Sequence, residues 1–332
     1  MKDNDKHSGL NRNPNAVALQ LHRELLLHTP IQDGRPNFLS AASGLVCIEK
    51  HFYVVADDEL HLGIFPIDST QPGHVFRLID GELPLKPKPR KKQKPDFEVL
   101  TYLPANAERP TAMLMVLGSG SRDNRTQGLL LPLNRQGELS IDTDPLPFDL
   151  SALYRELERE FDIVNIEGAT VRGDELLIFQ RGNKKAGTNA IVSLKLDASI
   201  DAMLSGEIGA KLIDNVQLIE LGSHDGVDLG FTDAIVLNGV RGAPNNHLLA
   251  LAVAEDTDDP YVDGEASASY VCHFDSQNRL QAMTPLIVPA KTEGIALWPA
   301  HATHEQLLAF VTDADDASIP AALLTAPLSA FI

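Results

Sequence analysis

Five short segments place a polar or acidic residue just ahead of an apolar run: Ser43-Gly44-Leu45, Glu98-Val99-Leu100, Glu167-Gly168-Ala169, Asp233-Ala234-Ile235 and Glu293-Gly294-Ile295. Four of the five leading residues are carboxylates. Carboxylates gathered at one place can exchange protons with a substrate, or can hold a hard cation through oxygen. Converging like charges disfavour one another's ionisation, so such a group calls for a cation or a ligand rich in hydroxyls. Glu167, Asp233 and Glu293 are the candidate catalytic residues, and Ser43 and Glu98 are candidate ligand contacts. The plainer alternative is that these side chains accept backbone N–H groups of neighbouring strands and brace the fold.

Polar loops add a second pattern. Three are acidic, at 56–58 (ADD), 255–259 (EDTDD) and 312–316 (TDADD). Two are glycine-rich and basic, at 118–128 (GSGSRDNRTQG) and 180–189 (QRGNKKAGTN). The acidic loops offer oxygen ligands suited to Ca²⁺ or another divalent cation, and Glu167, Asp233, Glu293 and Asp313 are the candidate ligand set. The basic loops offer Arg122, Arg125 and Arg181, with Ser119 and Asn183, to a phosphate or carboxylate. A polar or anionic small molecule could span the two sides; solvated surface loops are the alternative. GSGSR lacks the Lys-Ser/Thr ending of a phosphate loop and the Gly-x-Ser-x-Gly spacing of a nucleophile elbow. The eleven histidines show no zinc-binding spacing. His301 and His304 read as solvent-facing and Trp298 as packing.

The elements that must position these residues are short apolar runs bounded by Gly, Asp and Asn, which read as buried strands. Examples are LVCIEKHFYVVADD (45–58), AMLMVLGSG (112–120), ELLIFQRGN (175–183), HLLALAVAED (247–256) and QLLAFVTDADD (306–316). Helical periodicity is convincing only over 149–161, where Leu153, Leu157 and Phe161 recur every four residues. A weaker candidate is 199–212. The leading residues at 43, 98, 167, 233 and 293 are separated by 55, 69, 66 and 60 residues. Each is followed by a first strand, a very apolar second strand and a third. Most units add a fourth, such as HVFRLI (74–79), NVQLIEL (215–221) or TPLIV (284–288). Four antiparallel strands per unit at a coarse repeat predict an all-β β-propeller of five blades. The fifth unit lacks a fourth strand, and AVALQLHRELLL (16–27) is available to supply it and close the ring; the alternative for that segment is an amphipathic helix. A six-bladed ring with one degenerate blade is the competing count. In a propeller the start of each first strand and each second-to-third loop share one end, so the five leading residues and the loops should ring one mouth of the central channel.

Composition narrows the function classes. The chain has 332 residues, 43% hydrophobic and 22% charged, with 46 acidic against 28 basic residues and a net charge of −18. That balance argues against a general nucleic-acid binder, and no apolar run reaches the roughly 20 residues of a membrane span. The first fifteen residues read as a polar tail without a secretion signal, and 16–332 as a single propeller. Only Cys47 and Cys272 are present, which excludes a disulfide framework and fits a reducing cytoplasm. Against this acidity, 85–94 (LKPKPRKKQK) carries six positive charges, and its prolines predict an extended conformation. It reads as a solvated linker, or else as an arm that pairs with the acidic rim.

The Glu-Gly-Ala and Glu-Gly-Ile entries at 167–169 and 293–295 resemble those of esterase-like phytase propellers and of the gluconolactonase and regucalcin group. That resemblance implies a mouth in which Glu, Asn and Asp side chains hold one divalent metal that polarises a substrate carbonyl. The matching positions are Glu167 or Glu293, Asn183, and Asp233 or Asp313. The whole chain is similar to a family of uncharacterised bacterial propellers, through KPDFEVL (94–100), VLGSGSR (116–122), NIEGA (165–169) and LLIFQRGN (176–183). Together these readings lead to a small-molecule propeller whose mouth acts as a metal-assisted hydrolase of a lactone or phosphoester. The alternative is a non-catalytic propeller that recognises a protein or polar ligand on the same face.

Overall fold

The computed structural model describes residues 15–140, 142–182, 188–256, 265–298 and 305–332. Five four-stranded antiparallel sheets succeed one another around an axis. Blade 1 runs through Ala42–Ile48, His51–Ala56, His61–Pro66 and His74–Arg77. Blade 2 uses Phe97–Leu103, Met113–Gly118, Gln127–Pro132 and Leu146–Asp149. Blade 3 uses Ile166–Arg172, Glu175–Gln180, Asn189–Lys195 and Ile213–Ile219. Blade 4 uses Val227–Leu237, His247–Asp256, Glu265–Phe274 and Leu280–Ile287. Blade 5 takes three strands from the far end of the chain, Lys291–Trp298, Leu307–Asp313 and Ala322–Pro327. Its fourth is Gln20–Glu24, antiparallel to Ala322–Pro327, so the segment expected to close the ring is a strand and does close it. Just before it, Val17–Ala18 pairs with the outer strand of blade 4.

The first strands pack against one another in cyclic order, and the fifth returns to the first. A single blade is apolar on both faces, so the core is divided into five slabs, one between each pair of neighbouring blades. Phe179, Phe231 and Phe274 fill the slab between blades 3 and 4, and Phe52 meets Trp298 edge-on between blades 1 and 5. Each fully buried phenylalanine contributes about 1.5–3 kcal/mol by leaving water.

At the same point in every blade the first strand carries a β-bulge. The register slips between Ala42 and Gly44, Phe97 and Val99, Ile166 and Gly168, Phe231 and Ala234, and Thr292 and Gly294. The extra residue is Ser43, Glu98, Glu167, Glu293 or, in blade 4, the Thr232-Asp233 pair. A bulge re-aims a side chain and bends the strand, and here it does so next to the axis. The following glycine lets the next blade approach. A Cβ on Gly168 would lie 2.7 Å from the Asp233 Cα, and one on Gly294 2.9 Å from the Ser43 carbonyl oxygen.

Among the described residues three α-helices interrupt the β pattern. The segment 85–94 is not extended: Pro87–Gln93 forms helix α1, with proline in its first turn, where the missing N–H costs nothing. The convincing periodicity becomes α2, Ser151–Leu157, whose Leu153, Tyr154 and Leu157 are buried. The weaker candidate starts earlier than expected, as α3, Leu196–Leu204.

Candidate functional site

The bulged residues and the second-to-third loops meet at one mouth of the channel, with α1 beside them between blade 1 and blade 2. Ser43, Glu167, Asp233 and Glu293 are buried there and Glu98 is half-buried. Around them the mouth gathers Asp57, Asp96, Glu255, Asp313 and Asp315. These nine carboxylates are served by four cations, Lys94, Arg125, Arg181 and Lys291. Each cation is almost wholly buried; Lys94, Arg181 and Lys291 bridge acids from different strands or loops, and Arg125 pairs with Asp96 alone.

Arg181 reaches Glu167 at 3.4 Å and Glu255 at 2.5 Å. Lys291 lies 3.2 Å from Glu293, 3.6 Å from Asp313 and 2.9 Å from Asp315. The Lys94 ammonium sits between Asp57 and Asp96, 2.9 Å from the latter. Arg125 donates to Asp96 at 2.6 Å, and the hydroxyl of the fully buried Ser119 donates to the same carboxylate at 2.5 Å. Asp233 serves the backbone: Oδ1 accepts the Ala234 N–H at 2.8 Å, and Oδ2 accepts the Ile295 N–H of blade 5 at 3.0 Å. It therefore braces two blades across the slab.

The proton affinities follow from this crowding. Burial pushes Glu167 up to about 8, with Arg181 opposing and Glu293 adding. Burial likewise raises Asp233, Glu293 and Asp313, and lifts Asp57 to about 6 against the pull of Lys94. Asp96 goes the other way, because Lys94 and Arg125 outweigh its burial. Glu98 is pushed well up, first by burial and then by Glu167, Asp96 and Asp57. Among the described residues no hydrogen bond or ion pair engages its carboxyl group. Its surroundings thus favour the protonated form of this carboxyl group.

A divalent cation fits the expected ligands poorly. Glu167 is taken by Arg181 and by the Asn165 amide at 2.5 Å, Glu293 and Asp313 by Lys291, and Asp233 by two backbone N–H groups. Among the described residues, the three carboxylates whose oxygens all lie within 4.8 Å of one another are Asp57, Asp96 and Glu98, and the Lys94 ammonium stands on two of them. Arg125 and Arg181, expected to meet an anion, meet these carboxylates. Arg122 is half-buried in the same loop as Arg125. Asn183, the acidic stretch 257–259, His301 and His304 lie outside the described residues.

Sequence reasoning missed Asp96, Asn165 and Lys291. A signal was present, because each stands two residues before a bulged glutamate, where strand alternation returns the side chain to the same face. It also missed how α1 docks. Arg90 donates to the Asp58 carbonyl at 2.8 Å and pairs with Glu59 at 2.8 Å, while Arg35 holds Asp58 at 3.0 Å and Glu59 at 2.5 Å. The basic segment thus pairs with the acidic rim, and Lys94 at its end enters the mouth.

Two cavities flank this network. One, about 490 Å³, occupies the opposite mouth and is mainly apolar, lined by Leu45, Leu100, Ala169, Ile235 and Ile295 with Thr101 and Tyr102. The other, about 420 Å³, lies on the acidic side, between blades 1 and 5 beneath α1. The titratable groups concentrate at the second.

The chain is similar to several propellers of known structure, all at low identity. Glutaminyl cyclase of Myxococcus xanthus is 13% identical, with 94% of this chain and 97% of that one covered and a TM-score of 0.47. The RRP9 WD40 repeats are 8% identical, covering 93% and 99%, with a TM-score of 0.39. The Cps50 (Swd1) β-propeller domain of Myceliophteria thermophila is 9% identical, covering 92% and 99%, at 0.34. The five-bladed assignment rests on the chain's own strand pairing. Among curated proteins none matches this chain. Among the described residues no helix is long and apolar enough to cross a membrane. A family model does match, over residues 38–328, and nearly the whole ring of blades falls within it: the chain belongs to the family of unknown function DUF6929.

Proposed function

We propose that the acidic mouth binds a small polar molecule and hydrolyses it by proton transfer between carboxyl groups, with a lactone-type ester as the substrate class. The observation that carries this reading is Glu98: a half-buried carboxyl group whose surroundings raise its proton affinity and with which no other described group forms a hydrogen bond or ion pair. A free O–H in such a place is suited to general-acid catalysis. Water attacks the ester carbonyl, an ionised carboxylate of the mouth takes the water's proton, and Glu98 delivers its own to the departing ring oxygen. The product is a hydroxy acid. No step needs a metal, and the carboxylates named above already hold protein cations.

Charge selects between the two substrate classes expected from the sequence. The acids of the mouth outnumber its cations, and those that are ionised repel a phosphoester, whereas an uncharged lactone enters freely and its anionic product is driven out. A non-catalytic binding propeller is the second reading, favoured by Asp233, which spends both oxygens on bracing. The test is hydrolysis of a panel of chromogenic lactones and phosphoesters by the protein and by Glu98→Gln, with Ca²⁺ and with chelator. Lactone turnover lost at least about 100-fold in Glu98→Gln, the usual scale of a general acid, supports the proposal. Turnover unaffected by that change, or absent throughout, overturns it and leaves the binding reading. Activity that appears only with Ca²⁺ would restore the metal.

A further inference from the structure

The apolar cavity of about 490 Å³ at the mouth opposite the carboxylates takes no part in the reaction just described, yet it is built like a ligand site. Its wall is continuous, because the innermost strands touch all the way round. The Thr101 hydroxyl of blade 2 donates to the Ala169 carbonyl of blade 3 at 2.6 Å, and Asp233 of blade 4 accepts the Ile295 N–H of blade 5 at 3.0 Å. The other three contacts each depend on a glycine. A Cβ on Gly44 would lie 2.7 Å from the Leu100 nitrogen, one on Gly168 2.7 Å from the Asp233 Cα, and one on Gly294 3.0 Å from the Leu45 nitrogen. The volume falls in the range of small-molecule pockets.

Two observations say what would enter. First, the described lining offers apolar surface and no free charge. Leu45, Val46, Leu100, Ile235, Ile295 and Leu297 contribute to it, and its one carboxyl group, that of Asp233, spends both oxygens on the backbone N–H groups of Ala234 and Ile295. An ion entering here would lose its hydration without gaining a partner, and water finds few polar groups to hold it. Second, one lining hydroxyl is unengaged. Thr170 is 9% exposed and lines the cavity, and its side chain makes no hydrogen bond with any described residue. Its oxygen nevertheless keeps accessible surface, since it is absent from the enclosed unpartnered atoms of the fold. Thr101, at the same distance from the bulge one blade earlier, has a carbonyl to donate to. What Thr170 lacks is such an acceptor.

We propose that this cavity binds an uncharged, mainly apolar small molecule carrying one acceptor oxygen, which receives the Thr170 hydroxyl while the rest of the molecule lies against the aliphatic wall. The site is at the other end of the channel from Glu98, so it stands or falls independently of the lactone reading.

Equilibrium dialysis tests it, with the ketone acetylnaphthalene as the probe, its hydrocarbon analogue ethylnaphthalene to lack the acceptor, and naphthoate to add a charge. Expected is saturable one-to-one binding of the ketone with a dissociation constant below about 100 µM, weaker binding of the hydrocarbon and none of the anion. Thr170→Val keeps the shape of the side chain and removes its hydroxyl. It should weaken the ketone about fivefold, the scale of one hydrogen bond, and leave the hydrocarbon unchanged. Val46→Phe and Val171→Phe, at two half-buried lining positions, should each weaken both probes about tenfold by filling the space, with circular dichroism checking that each variant is folded. Glu98→Gln should bind as the parent does. No saturable binding of the ketone, tighter binding of naphthoate, equal losses of ketone and hydrocarbon in Thr170→Val, unchanged affinity in both folded phenylalanine variants, or loss of binding in Glu98→Gln would each overturn the proposal.

Discussion

Replacing Lys94 by methionine removes the ammonium that holds Asp57 against Asp96 and keeps the bulk of its stem. Asp96 retains Arg125 and Ser119, so the loss falls on Asp57, whose carboxyl has no other side-chain partner among the described residues. Breaking a buried ion pair from one side costs about 3–5 kcal/mol, because the remaining charge stays buried. With an unfolding entropy of about 2.1 cal/mol/K per residue, that is a fall of about 4–7 °C in the melting temperature of this chain. The sign of the pH dependence is fixed by Asp57. Its folded carboxyl already titrates at about 6 against an ordinary 3.8, and Lys94 is the group that holds it down. Without the lysine it rises further. An acid whose affinity is raised by folding destabilises the native state above that value and ceases to do so once protonated. Lys94→Met should therefore lose most at pH 8 and progressively less as the pH falls to 5. The double change Lys94→Met with Asp57→Asn should recover most of the loss, because both partners are then uncharged. Denaturant melts of the parent, Lys94→Met and the double variant at pH 5 and 8 give the comparison. A loss under about 1 kcal/mol at pH 8, equal at both pH values, would refute the claim that Lys94 is the internal counterion of this mouth.

Other consequences can be checked alongside. Glu167 is raised to about 8 from 4.5, so its burial works against the fold as pH climbs through that window. Glu167→Gln should flatten the stability profile between pH 5 and 9, with the variant relatively more stable at the alkaline end; parallel profiles in thermal melts would count against it. Gly168→Ala drives a methyl to within 2.7 Å of the Asp233 backbone, and should cost about 1–3 kcal/mol by parting blades 3 and 4, read by denaturant unfolding. Ca²⁺ should raise the melting temperature of Lys94→Met, whose three carboxylates are then without their ammonium, more than that of the parent. An equal effect on both would mean that Lys94 does not stand in a cation's place.

The ring was legible because its logic is repetitive. Five polar-then-apolar entries at similar spacing marked the innermost strands, and the missing outer strand of blade 5 pointed to 16–27. The bulges were not legible, since a register slip depends on how two distant strands align, although the glycines after Ser43, Glu167 and Glu293 marked where blades crowd. The proline-rich stretch misled because proline signals both extended chain and helix start. Which applied was decided by Arg90 and Lys94, whose burial against blade 1 draws the backbone into α1. At the site the carboxylates were readable as residue types, and their internal counterions were not. Lys94, Arg181 and Lys291 acquire that role only when loops from separate blades meet.

The strand Gln20–Glu24 also orders events in time. Its partner in blade 5 lies 305 residues away at the Gln20–Thr325 contact, so a chain emerging from the ribosome makes the closing strand before any of the five blades and cannot pair it until Ala322–Pro327 has followed. The entropy of closing so long a loop grows only logarithmically and is modest. The exposure is what matters: through most of synthesis, Gln20–Glu24 and then the edge of blade 5 carry unpaired backbone groups that another chain could capture. Ring closure is thus the step at which folding competes with self-association.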